Sequence, residues 1–210
     1  MATTAEISTT RLSAVRQQDI GGATRLTAGA VSRTCPYPRR NNAAVKPWPK
    51  PDLPGPGQES VWDYPRPPRL EDFTGSIAVE LGGQTIASAT RAWRVLETSH
   101  PPTYYLPRDA FADGVLRPAA GSSWCEWKGQ ASYYDLVTAG RVAPRAAWTY
   151  QQPSRDFAPI AGAIAVMPAA VDRCTVNGEE ATAQPGGFYG GWITSWIVGP
   201  FKGIPGSMGW

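Results

Sequence analysis

The segment SSWCEWKGQASYY, residues 122–134, places Cys125 three residues before Lys128 among aromatic side chains. A thiol becomes a nucleophile when its anion is stabilised, and a neighbouring ammonium can do that. Cys125 thus has two chemical readings, a thiolate supported by Lys128 or a small apolar filler of a strand. Strand alternation puts Cys125 and Trp127 on one face and Trp124, Glu126 and Lys128 on the other. The two groups meet only if Gly129 or a bulge re-aims the lysine. Glu97 ends the segment RAWRVLE and stands just before His100, the one histidine of the chain. An acid beside an imidazole can work as an acid/base pair. The two prolines after His100, however, predict a solvated surface turn for that ring. Glu97 can instead pair with Lys128 or Arg91, and such an ion pair is structural as readily as catalytic. Glu97, Cys125 and Lys128 are the catalytic candidates.

These residues need strands to position them. SIAVEL (76–81) alternates Ile77, Val79 and Leu81 with small or charged residues, and Gly82-Gly83 supplies a hairpin turn before QTIASA. RAWRVLE (91–97) alternates again, TYYLP (103–107) is closed by proline, and residues 122–137 read as two strands bent at Gly129. AAWTY (146–150) is a further strand, and CTVNGEEAT (174–182) is a hairpin around Asn177-Gly178. Only RDFAPIAGAIAVM (155–167) has helical spacing, through Phe157, Ile160, Ala161 and Ile164. Short strands with one short helix predict a mainly β, small antiparallel barrel-like domain.

The two ends differ in composition from this middle. Residues 1–34 are rich in Thr, Ser, Ala and Arg, and residues 35–58 carry seven prolines in 24 positions. A segment so poor in apolar residues predicts a disordered or loosely draped leader over 1–58, with the β-rich domain at 59–210. An acid-poor, Arg- and Ser-rich start also has the make-up of an organellar targeting segment. The last 25 residues hold eight glycines and six bulky aromatics. Glycine at that density forbids a stable helix, and exposed tryptophans would form an adhesive patch. An extended strap over 185–210, or a lid over a pocket, satisfies both constraints.

The bulk numbers narrow the function classes. At 210 residues the chain supports one proper core, and no apolar run approaches the length that spans a bilayer. The net charge of +3 is concentrated in the leader, where eight Lys/Arg face three Asp/Glu; residues 59–210 hold twelve against fourteen. A nucleic-acid-binding domain places its positive charge on folded structure, so no nucleic-acid partner is expected. Cys35, Cys125 and Cys174 are odd in number and widely spaced, which predicts no disulfide framework, and no C-x-x-C pair exists for a structural zinc. No metal, no cofactor and reduced thiols in a cytoplasmic setting follow as expectations.

ATRAWRVLETSHPPTYYLPRD, then CEWKGQASYYDL, then AAWTYQQP, in this order, resemble the family called domain of unknown function 427, sometimes labelled nucleotidyltransferase-like. The resemblance covers about residues 59–210, including the Gly- and Trp-rich tail of longer members. It implies a small fold of coiled β-sheets, a β-tent, and implies no reaction. The fold relatives carry paired C-x-x-C zinc ligands that this chain lacks. Nucleotidyl transfer needs two or three neighbouring carboxylates for divalent metal, and no Asp-x-Asp pair is present. The family pattern keeps cysteine, lysine and glycine around Cys125 but often has proline in place of Glu126, which would mark an edge or a bulge. Tyr105, Tyr133, Trp148 and Tyr150 match the family motif residue by residue. With Arg91 they are the ligand-binding candidates, since aromatics with polar tips suit both cores and pockets. Three functions stay open: a small-molecule-binding domain with an aromatic-lined pocket, a metal-independent enzyme using Glu97 or Lys128 as acid/base or Cys125 as nucleophile, and a structural interaction protein.

Overall fold

The computed structural model describes residues 48–210. The first 47 residues of the expected leader therefore lie outside the described residues. The chain enters through β1 (Glu59–Ser60) and β2 (Arg69–Leu81), then turns at Gly82-Gly83 into β3 (Gln84–Leu96). Both glycines are left-handed, with φ of +63° and +73°, as a tight hairpin requires. QTIASA and RAWRVLE are thus one strand rather than two. β4 (Thr103–Leu106) ends at Pro107, and β5 (Leu116–Cys125), β6 (Gly129–Val137) and β7 (Val142–Tyr150) form a meander. β8 (Ile164–Val166) follows, then β9 (Arg173–Val176) and β10 (Glu179–Glu180), joined at Asn177-Gly178. β11 (Thr182–Ala183), β12 (Trp192–Ile193) and β13 (Ile197–Val198) complete the order.

The helix expected at 155–167 is corrected by the structure. Only a 3-10 turn forms, at Arg155–Ile160. Pro159 sits inside it, and Gly162, at φ +76°, ends the segment. Ile164–Val166 then joins the sheet with all three residues buried. An apolar run buried on both faces carries no period, so its residues satisfy a helical pattern by accident.

Among the described residues nine strands form one antiparallel sheet in the order β10-β9-β2-β3-β4-β8-β7-β6-β5. The mainly β expectation holds, but the sheet is open: β10 and β5 are its edges, and no barrel closes among the described residues. Two consecutive blocks, β2–β4 and β5–β8, are joined where β4 pairs β8 through Tyr105–Ala165 and Leu106–Ile164. Alternation sorts the side chains at that junction. Tyr104, Leu106, Ile164 and Val166 enter the larger core with Ile77, Leu81 and Leu136. Tyr105 and Ala165 face the other way, with Val95, Ala131 and Tyr150. A cavity opens on this second face.

The Gly-rich tail pairs with the rest of the chain at two places. β12 pairs β11, and β13 runs parallel to β1. Trp192 is completely buried and donates from Nε1 to the Val166 carbonyl at 3.1 Å. Ile197 packs with Val61, Tyr64 and Leu96 in a small cluster of their own. Residues before β1 lie against the strap, where the Asp52 N–H donates to the Gly199 carbonyl at 2.8 Å. Among the described residues no helix is long and apolar enough to cross a membrane.

Candidate functional site

The register of the sheet assembles the site. On the second face Tyr133 of β6 stands opposite Trp148 of β7, Trp148 opposite Ala165 of β8, and Ala165 opposite Tyr105 of β4. Ala165 contributes almost no bulk, so the large rings on either side meet across it. Trp148 Nε1 reaches the Tyr105 hydroxyl at 3.3 Å, with the rings edge-to-face. One step along, Ala131 opposes Tyr150 and leaves space above it. A cavity of about 470 Å³ opens here, within the range of small-molecule sites.

The structure brings together seven of the eight candidate residues. Glu97, Tyr105, Cys125, Lys128, Tyr133, Trp148 and Tyr150 all line this cavity. Arg91 does not. It shares its face of β3 with Trp93 and Val95, but β4 pairs β3 only from Trp93 to Val95. Arg91 therefore lies past the end of the neighbouring strand, exposed. Glu97 pairs with neither Arg91 nor Lys128 but with Arg66, at 3.4 Å.

The alternation that separates Cys125 from Lys128 stops at Cys125. β5 ends there, Cys125 faces Gly129 in the register, and Glu126-Trp127-Lys128 is the hairpin loop between them. Gly129, at φ +92°, permits the reversal. Lys128 is thereby swung back over the sheet and is only 8% exposed. Its ammonium lies 5.8 Å from the Tyr150 ring centre and 5.4 Å from that of Phe157. Cys125 lines the same cavity as Lys128 and Tyr150. Cys125 itself is half-buried at the cavity wall, unlike Cys174, which is a true core thiol.

Electrostatics follow from this enclosure. Burial pulls the Lys128 ammonium toward neutrality, but Tyr105, Cys125 and Glu97 outweigh it and hold its pKa above the ordinary lysine value. Burial raises the Tyr105 phenol despite nearby Lys128. Burial likewise raises Tyr150, helped by Tyr105 and Cys125. The Lys128 ammonium thus shares the cavity with the Tyr105 and Tyr150 hydroxyls. His100 is a second correction: the ring expected in a solvated turn is 9% exposed and lines the cavity. Its Nδ1 donates to the Thr98 carbonyl at 3.0 Å, and burial depresses its pKa.

Sequence reasoning did not single out Arg66, His100, Trp124, Trp127, Lys202, Phe188 or Tyr189 as site residues, although all line the cavity. The signal for the last two was the GGFYGG sequence, read as part of a strap or a lid. Phe188 is 80% exposed at the mouth, while Tyr189 packs edge-to-face on His100 at 4.7 Å. Gly190 and Gly191 are needed at close approaches, for a Cβ at either would strike Trp148 or Gln184 and Pro101.

Comparison with curated proteins finds no match to the chain. Residues 69–177, from β2 through the β9–β10 turn and just over half of the chain, match a family described as a domain of unknown function (DUF427). That span contains the 122–134 hairpin, Glu97 and every aromatic wall contributed by the sheet, while the tail residues lie outside it. With its open antiparallel sheet and the cavity on one face, the chain belongs to the DUF427 family.

Proposed function

We propose that the cavity binds a small molecule with a flat aromatic or apolar body. The observation that carries this reading is the convergence of aromatic side chains from five separate parts of the chain on one space of about 470 Å³. Tyr105, Tyr133, Trp148 and Tyr150 come from three strands, Trp127 from the hairpin loop, and Tyr189 from the tail. Such rings offer large contact area at little conformational cost. Trp124, 77% exposed, and Phe188 stand at the mouth, where an incoming molecule would cover them. The free thiols of Cys125 and Cys174 suit a reducing, cytoplasmic setting.

A fragment screen followed by thermal unfolding tests this reading. A ligand at 100 times its Kd stabilises by about 2.7 kcal/mol, which raises the Tm of a domain this size by roughly 5–10 °C. Trp148→Ala should abolish that shift. A screen in which no compound changes the melt, with the wild type folded, counts against the proposal.

A second reading, a metal-independent enzyme, is favoured by one observation: Glu97, Cys125 and Lys128 line the same cavity. In it Cys125 is the nucleophile, Lys128 holds the thiolate, and Glu97 moves the proton.

A further inference from the structure

We infer that the ligand of this cavity is a monoanion, a flat body bearing one carboxylate that seats on Lys128. The inference rests on the binding reading above and names the chemical class of its ligand. Among the described residues three basic side chains other than His100 line the cavity: Arg66, Lys128 and Lys202. Two of them are engaged. Arg66 pairs with Glu97 at 3.4 Å and Glu126 at 3.7 Å. Lys202 donates from Nζ to the Trp210 carbonyl at 2.7 Å. Lys128 has no carboxylate within 4.0 Å among the described residues, yet it is the cation of the sheet face and nine-tenths buried.

An enclosed ammonium with no carboxylate in contact among the described residues leaves a seat for an anion, and the Tyr150 and Phe157 rings supply only cation–π contacts. The groups gathered around it are the hydroxyls of Tyr105 and Tyr150 and the sulfur of Cys125, none of them a carboxylate. A carboxylate placed there would accept from the ammonium and a phenol together, which are charge-assisted bonds. A doubly charged group such as a phosphate monoester fits less well. It would meet a single uncommitted ammonium while Glu97 sits in the same cavity. The aromatic walls set the rest of the molecule as flat and apolar.

Matched probes separate this inference from the reading it rests on. Benzoate, cinnamate and naphthalene-2-carboxylate, each beside its primary amide, are titrated calorimetrically into the full chain at pH 7. Each acid should bind at least about tenfold more tightly than its amide. Lys128→Met should remove that preference and leave amide binding in place, whereas Lys128→Arg should retain part of it and Lys202→Met all of it. Equal binding of acids and amides by the wild type overturns the inference and leaves the binding reading standing, and this comparison needs no variant to fold. Binding of neutral fragments with no binding of any acid also overturns it. A cavity that takes up no compound of any charge ends both.

Discussion

Replacing Trp192 by alanine tests the strap at its most committed residue. The side chain is completely buried, its ring centre lies 5.3 Å from that of Tyr104, and its Nε1 donates to the Val166 carbonyl at 3.1 Å. Removing a buried tryptophan costs about 3–5 kcal/mol through lost transfer energy and the space left behind. The Val166 carbonyl of β8 also loses a donor in a buried position, worth about 1 kcal/mol. A total of roughly 4–6 kcal/mol is a large share of the 5–15 kcal/mol typical of whole domains. For a domain of this size the Tm should fall by about 8–24 °C. Far-UV circular dichroism in a urea series reads the change without relying on the removed fluorophore. The midpoint should fall while the slope stays constant, because the surface exposed on unfolding is unchanged. Phe188→Ala is the control within the same tail: that ring is 80% exposed, and the change should stay within about 0.5 kcal/mol. A loss below about 1 kcal/mol for Trp192→Ala would refute the strap, since the tail could then detach without opening the core.

Iodoacetamide at pH 7 should modify Cys125 in the native protein and spare Cys174, whose thiol burial pushes its pKa up; Lys128→Met should slow the Cys125 reaction, and peptide mass mapping reads both. His100→Gln should change the acid limb of stability. The native pKa lies below the ordinary 6.5, so the unfolded chain takes up the proton first. The contribution of the neutral, buried ring is complete above about pH 6.5 and is lost as pH falls through the native value. Urea midpoints across pH 4–8 should therefore decline less steeply in the glutamine variant. Gly190→Ala should displace the Trp148 ring, because the added Cβ has no room beside it. Ligand-induced stabilisation should drop with that change, while far-UV circular dichroism stays native.

Much of the sheet can be read from local pattern. Ile77, Val79 and Leu81 alternate, Gly82-Gly83 and Asn177-Gly178 carry the positive φ that tight turns need, and Pro107 closes β4. These are properties of neighbouring residues, so they survive without tertiary information. The aromatic residues of the site are also visible by type and by the order of their segments. What local pattern does not contain is which strands become neighbours. Tyr105 and Trp148 are brought together by the pairing of β4 and β7 on either side of β8, whose residues have helical spacing in the sequence. The pairing of β3 with β4 also stops at Trp93–Tyr105, and so leaves Arg91 outside the site.

The place of Lys128 shows the same division. Its residue type and its distance from Cys125 are in the sequence, and alternation carried through the segment sets them on opposite faces. The pairing of Cys125 with Gly129 turns three residues into a loop, and the period of two no longer applies. His100 follows the same logic, because two prolines predict a turn but cannot say that Tyr189 will cover it. The sequence by itself determined the strands, their turns and the chemical inventory, since these depend on φ, ψ and side-chain type over a few residues. The tertiary structure decided the burial of Lys128 and that, among the described residues, no carboxylate pairs with it, because both depend on which distant segments arrive beside it.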